Sequence, residues 1–189
     1  MESTQQLPAT QTAIGYLGYH AFDDGDAYRG AILVTDERSN PLEFRCTAPV
    51  RPTPLQRTLY GKSLLPHILT ELIAAPLIGS LREKPQMILI SDDHFFDLRC
   101  KSAFPVIMVS ASKAALRAKN SEHSKTLLIQ SSSGKFSELE IEAHAKFPAD
   151  LDSSGDRLRD LFGRWDLTEP FQRLAEGLKY VHDEHVLES

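Results

Sequence analysis

The sequence has few of the residues that usually announce a chemistry. Its two cysteines, Cys46 and Cys100, lie far apart and in no paired pattern, which excludes a disulfide framework and a zinc knuckle; they read as reduced thiols packed as small apolar side chains. There is no G-x-S-x-G elbow, no phosphate-binding G-x-x-x-x-G-K-[ST] loop and no G-x-G-x-x-G turn, so the commonest hydrolase, nucleotidase and dinucleotide signatures are missing. Long hydrophobic runs are missing too. The longest, "LIAAPLIG", is broken by Pro76 and falls far short of the roughly 20 residues that cross a bilayer, so no membrane span or membrane partner is predicted. The opening "MESTQQLPATQT" has neither the basic start nor the apolar stretch of a secretory signal. It reads as a flexible lead-in over residues 1–12, ahead of a single domain over residues 13–186 in a cytoplasmic protein.

What is present is ordinary in amount and uneven in placement. Of 189 residues, 41% are apolar and 25% charged, which sets disordered and fibrous classes aside. The net charge of −5 hides a basic middle. Residues 1–44 carry net −5, residues 45–137 net +7 and residues 138–189 net −7. Such blocks either neutralise one another in the fold or leave the middle to face an anionic partner.

Hydrophobic patterning gives the elements. Two β-rich runs, residues 14–22 and 27–35, flank "DDGD", where Asp and Gly suit a hairpin turn; a third strand is expected over residues 42–47. Three prolines in "APVRPTP" make a stiff exit, with Thr53 as helix cap and Pro54 at the first helical position. Apolar residues then recur at helical spacing to Glu83, interrupted by Pro66 and Pro76, which predicts two or three helical pieces. "QMILIS" (residues 86–91) and "FPVIMVS" (104–110) are continuous apolar runs typical of strands buried on both faces, and pair in parallel through a right-handed crossover. "KTLLIQ" is another strand; residues 138–147 fit either a strand or a helix. Two amphipathic helices, over residues 153–165 and 166–185, close the chain. The fold class is mixed α/β: an antiparallel meander, a helix, parallel strands and two C-terminal helices.

The order β-β-β-α-β-(short helix)-β over roughly residues 14–110 resembles the ribonuclease H-like superfold, which includes the endonuclease V family. The resemblance implies a carboxylate within the first strand and another at the end of the fourth, where divalent-metal nucleases of that superfold carry them. Asp92 or Asp93, directly after "ILIS", falls where the second belongs. In the first strand, "IGYLGYHAF" contains no acid, and Asp23 arrives only at its end.

Asp92, Asp93, His94 and Asp97 are the densest set of ligand-type side chains, at the strand end where α/β sheets hold ligands. Two readings stand side by side: Asp92 and Asp93 bind magnesium or manganese, or one of them caps the short helical turn that follows. His182 and His185 share a helix face beside Asp183 and Glu184, and read as a solvated tail. Arg45, Arg51, Arg57 and Lys62, with Tyr60 for stacking, are candidates for a nucleic-acid ridge; the alternative pairs Arg57 and Lys62 with the acidic C-terminal helices. The first expectation is a non-catalytic binding or scaffold protein acting with a protein partner, without a cofactor. A second is a metal-dependent nuclease or phosphoesterase using Asp92 and Asp93 with help from Glu43 or the Asp23–Asp26 turn, and magnesium or manganese only in that case. A third is a nucleic-acid-binding subunit using the basic middle. Oligomeric state is not encoded in any recognisable pattern.

Overall fold

The computed structural model describes residues 12–111 and 125–187; all of the expected lead-in but Thr12 lies outside them. Seven strands form one sheet: β1 (Ile14–Phe22), β2 (Ala27–Thr35), β3 (Pro41–Cys46), β4 (Met87–Ile90), β5 (Val106–Ala111), β6 (Lys125–Ile129) and β7 (Leu139–Ala143), in the order β3-β2-β1-β4-β5-β7-β6. The first three make the expected antiparallel meander, with Ile14 opposite Thr35 and Phe22 opposite Ala27. β4 then returns parallel to β1, Leu17 opposite Ile90, and β5 lies parallel to β4. Residues 139–143 are strand, not helix, and run antiparallel to both β5 and β6.

Both faces of this sheet are covered, which is why β4 is apolar at every position. Met87 and Leu89 point to one side, into a core completed by Leu158, Leu161 and Phe162 of α4 (Ala149–Arg164) and Leu174 and Leu178 of α5 (Glu169–Leu187). Ile88 and Ile90 point to the other side and meet Ile68, Leu69, Ile73, Phe95 and Leu98. Helix α4 begins at Ala149, earlier than expected. Its first turn carries Asp150 and Asp152, which favour the positive end of the dipole, and Asp150 is buried against Arg99.

The crossover from β3 to β4 is a helical path from Pro54 to Ser80. Helix α1 (Pro54–Tyr60) opens with a reciprocal cap: Thr53 Oγ1 accepts from the Gln56 N–H at 3.2 Å, and Gln56 Oε1 accepts from the Thr53 N–H at 2.8 Å. A 3₁₀ turn and the short α2 (Leu64–His67) follow, then a π-helical stretch over Ile68–Ala74 and α3 (Ala75–Ser80). The widened turn sits directly before Pro76, whose missing N–H and bulky ring prevent regular α hydrogen bonding. The 27 residues of this path are long and apolar enough by composition to cross a membrane. The contiguous-run criterion misses this because polar residues are interspersed. In the fold the path lays Ile68, Leu69, Ile73, Ala74 and Leu77 on the sheet.

The helical path packs tightly on the sheet at Gly30. A methyl group there would overlap the Ile73 side chain, with the Gly18 carbonyl oxygen 3.3 Å away, so glycine is required by space. Gly30→Ala is expected to cost about 1–3 kcal/mol, the usual range for overpacking, read as a lower urea midpoint. An unchanged midpoint would show that Ile73 yields freely.

Candidate functional site

β4 is paired in parallel with the first half of β1, from Ile14 opposite Met87 to Leu17 opposite Ile90, so the chain leaves β4 alongside the middle of β1, which runs on to Phe22. Directly beyond β4 the chain turns into a 3₁₀ segment, Asp93–Cys100, pinned beneath the sheet by the fully buried Phe95 and Leu98. Asp92 is its cap: Oδ1 accepts from the His94 N–H at 3.0 Å. The same oxygen lies 2.6 Å from His94 Nδ1, and Asp93 Oδ1 lies 3.3 Å from that nitrogen. One oxygen each from Asp92 and Asp93 and one ring nitrogen of His94 all fall within 4.8 Å of one another. The capping and ligand readings are therefore compatible: Asp92 caps through Oδ1 and the cluster still converges.

Tyr19 comes to this cluster from β1. Its ring packs edge-on against Phe95, centroids 5.9 Å apart and planes at 71°. Burial, then the charge of Asp92 and a hydrogen bond to it, push the Tyr19 hydroxyl up to about 12. Tyr19 was not among the residues singled out in the sequence. Its signal was only positional, in that it lies two residues beyond Leu17, the partner of Ile90 in the register.

The other acids considered as helpers are engaged elsewhere. Glu43 Oε2 accepts the backbone N–H groups of Arg82 and Glu83 at 3.0 and 2.9 Å, and Oε1 accepts from Arg45 Nε at 2.7 Å. It fastens β3 to the turn before β4 and does not join the Asp92 cluster. The "DDGD" stretch is the hairpin turn between β1 and β2, with Asp23 and Asp24 at φ of 52° and 54°. Asp23 pairs with Arg51 at 2.6 Å and Asp26 with Arg57 at 3.0 Å. Arg57 thus pairs with this turn, not with a C-terminal helix. Tyr60 is 41% exposed beside His67, with ring centroids 4.8 Å apart; Lys62 is exposed.

The expected solvated tail at His182 is corrected. α5 runs along β1, so His182 is buried, stacks on Phe22 at 3.8 Å, and places Nε2 3.7 Å from Asp23 Oδ1. The side chain of His185 lies outside the described residues.

A second convergence joins Asp97 and Cys100, one 3₁₀ turn apart, to His144 at the end of β7. His144 Nε2 is 3.6 Å from Asp97 Oδ1 and 3.9 Å from Cys100 Sγ. His144 Nδ1 accepts the Lys146 N–H at 3.1 Å, so the neutral ring carries its proton on Nε2, the nitrogen that faces the other two groups. A histidine ligand normally donates through its second nitrogen. The Asp92–Asp93–His94 set, with two solvent-facing carboxylates, fits a hard divalent cation better.

No protein-family model matches the sequence, and a search of the curated proteins finds no match. Solved structures do match in fold. Endonuclease V of Bacillus subtilis aligns with a TM-score of 0.58 and 14% identity over 94% of this chain and 84% of that one. Endonuclease V of Streptomyces avermitilis aligns at 0.53 and 11%, over 95% and 85%. A Ciona intestinalis endonuclease V, in complex with a 23mer DNA containing an inosine followed by a ribo-adenosine, aligns at 0.50 and 12%, over 90% and 87%. The chain has the mixed α/β fold of these structures. The expectation of a non-catalytic scaffold protein, leaning away from an enzyme, is overturned by this fold together with the metal-ligand clusters at the strand ends.

Glu43 gives a test that separates structural from catalytic acids. Burial pushes its carboxyl up, but hydrogen bonds from the Glu83 N–H, Arg45 and the Arg82 N–H outweigh that and hold it below 4.5. A depressed carboxyl contributes stability that is complete above its unfolded value and is lost as pH falls through its folded value. Glu43→Gln is therefore expected to lower the urea midpoint at neutral pH and to flatten the acid-side fall in stability below 4.5, while manganese affinity stays unchanged. A loss of manganese binding would return Glu43 to the site.

Proposed function

We propose that this protein is a divalent-cation-dependent nuclease acting on a nucleic-acid phosphodiester. The observation that carries the reading is the convergence of Asp92, Asp93 and His94 at the C-terminal end of β4, in a fold shared with endonuclease V structures. Asp92 and Asp93 would hold magnesium or manganese through carboxylate oxygens, which these ions prefer. When bound, such an ion polarises a phosphoryl oxygen and lowers the pKa of water. Asp92 orients the His94 ring through the 2.6 Å contact.

Cations that could meet a nucleic-acid backbone lie at the β1–β2 turn, beyond the stretch of β1 that pairs with β4: Arg51 and Arg57 are fixed there by Asp23 and Asp26. Arg45, paired with Glu43, and the exposed Lys62 are further candidate contacts, and the half-exposed Tyr60 offers a face for a base. Pairing with Asp23 and Asp26 positions the guanidinium groups before substrate arrives.

The test is a manganese titration followed by calorimetry, and a cleavage assay on labelled single- and double-stranded DNA and RNA, with and without inosine. Wild type is expected to bind manganese saturably and to cut at least one substrate. The Asp92→Ala, Asp93→Ala double substitution is expected to weaken manganese by at least about tenfold and to abolish cleavage. Absence of saturable manganese binding in wild type overturns the reading.

A further inference from the structure

We propose that the β1–β2 hairpin and helix α5 together form a site for a hydrogen phosphate group, with Arg29 as its buried cation. None of residues 92–94 takes part, and the nuclease reading is not required. Arg29 is 1% exposed, yet its Nε has no hydrogen-bond partner and its guanidinium forms no ion pair among the described residues. A buried arginine is ordinarily paired, because a charge taken out of water must recover its lost solvation from a partner. Here no side chain on the page provides one.

The strand register places its neighbours. Arg29 lies opposite His20 across the β1–β2 pair, and opposed residues point to the same face. That face is the one beneath α5, since Ala31 and Leu33, two and four residues further along β2, share a core with Leu174 and Leu178. The next ring along this face of β1 is Phe22, edge-on to His20 at 4.7 Å and stacked by His182 of α5 at 3.8 Å. His182 is buried as well, and its Nδ1 is the second polar atom on this face with no hydrogen-bond partner. Its Nε2 faces Asp23 Oδ1 at 3.7 Å, so the neutral ring carries its proton there and leaves Nδ1 a bare acceptor. Asp23 is already held by Arg51, through Oδ2 at 2.6 Å.

The two unpaired atoms differ in kind. Arg29 Nε–H only donates, and Nδ1 of the neutral ring only accepts. A hydrogen phosphate answers both: its anionic oxygens accept from the guanidinium, whose planar fork matches phosphate, and its hydroxyl donates to the ring. His20, half-buried beside Arg29, gives the approach from solvent. Burial first, then the charges of Lys179 and His182, hold the His20 ring below its usual value, in keeping with surroundings that favour an anion.

The full chain is titrated with inorganic phosphate at constant ionic strength, with binding read by calorimetry and the Arg29 Nε–H resonance followed by NMR. Wild type is expected to bind one phosphate saturably, with that resonance shifting along the same isotherm and the thermal midpoint rising as phosphate is added. Arg29→Met, similar in length but uncharged, should weaken phosphate by at least about tenfold. Sulfate, which has no proton to give at neutral pH, should bind several-fold more weakly than phosphate. A nucleoside 5′-monophosphate separates the two sources of the same group: tighter binding than inorganic phosphate assigns the site to a phosphomonoester, weaker binding to the free ion. The proposal is overturned by no saturable phosphate binding in wild type, by an Arg29 Nε–H resonance that does not move, by unchanged affinity in a folded Arg29→Met, or by sulfate binding as tightly as phosphate. Should Arg29→Met fail to fold, the resonance and the sulfate comparison in wild type decide. Each of these failures leaves the nuclease reading standing.

Discussion

The parallel pairing of β1 with β4 is the constraint on which the rest of the structure depends. Antiparallel strands can be joined by a tight turn, whereas a parallel pair needs a crossover that leaves the sheet and returns. That requirement generates the helical path from Pro54 to Ser80, and the path covers one face of the sheet. The opposite face is closed by α4 and α5. With both faces covered, β4 has no position for a polar side chain, and polar chemistry is confined to the edge where its backbone leaves the sheet. Asp92 is the second residue past Ile90, the last residue of β4.

An edge site of this kind needs an external brace, since the 3₁₀ segment that carries it is short and poorly hydrogen-bonded. The brace is Arg99. Its Nε and Nη2 engage both oxygens of Asp150 at 2.5 and 3.1 Å, its Nη1 donates to the Ser102 carbonyl, and its guanidinium lies 4.1 Å from the centre of the Phe147 ring. Hydrogen bonding and charge from Asp150 hold the arginine in its protonated form against the cost of burial. A paired, two-point contact of this type fixes orientation as well as distance, so α4, on one face, steadies the segment on the other. The buried pair also accounts for the early start of α4, because Asp150 must sit inside the first turn to reach Arg99.

Much of the fold was legible because burial writes a period into the sequence. The meander, the capped start at Thr53, the continuous apolar strands and the two terminal helices each followed from spacing or turn chemistry. Residues 138–147 were ambiguous because Leu139, Ile141 and Ala143 alternate as a strand would, while the flanking charges suit a helix equally. Pairing on both sides decides it. The candidate site was half legible. Asp92, Asp93 and His94 are consecutive, so local density revealed them. Tyr19, His144 and the buried role of His182 depend on which strand or helix lies alongside, and register is not printed in local composition. The complementary charge blocks were real, but the partners were not those expected. Arg51 and Arg57 satisfy the acids of the β1–β2 turn, while Arg99 and Lys125 reach α4.

Asp92 and Asp93 differ in their ion pairing from several other acids of the chain. Asp23 and Asp26 are matched by arginines, Glu71 by Lys101 and Asp150 by Arg99. Asp92 and Asp93 are adjacent carboxylates whose only ion-pair partner among the described residues is His94. Two like charges at about 5 Å cost on the order of 1 kcal/mol even in a water-like medium, and more where protein excludes solvent.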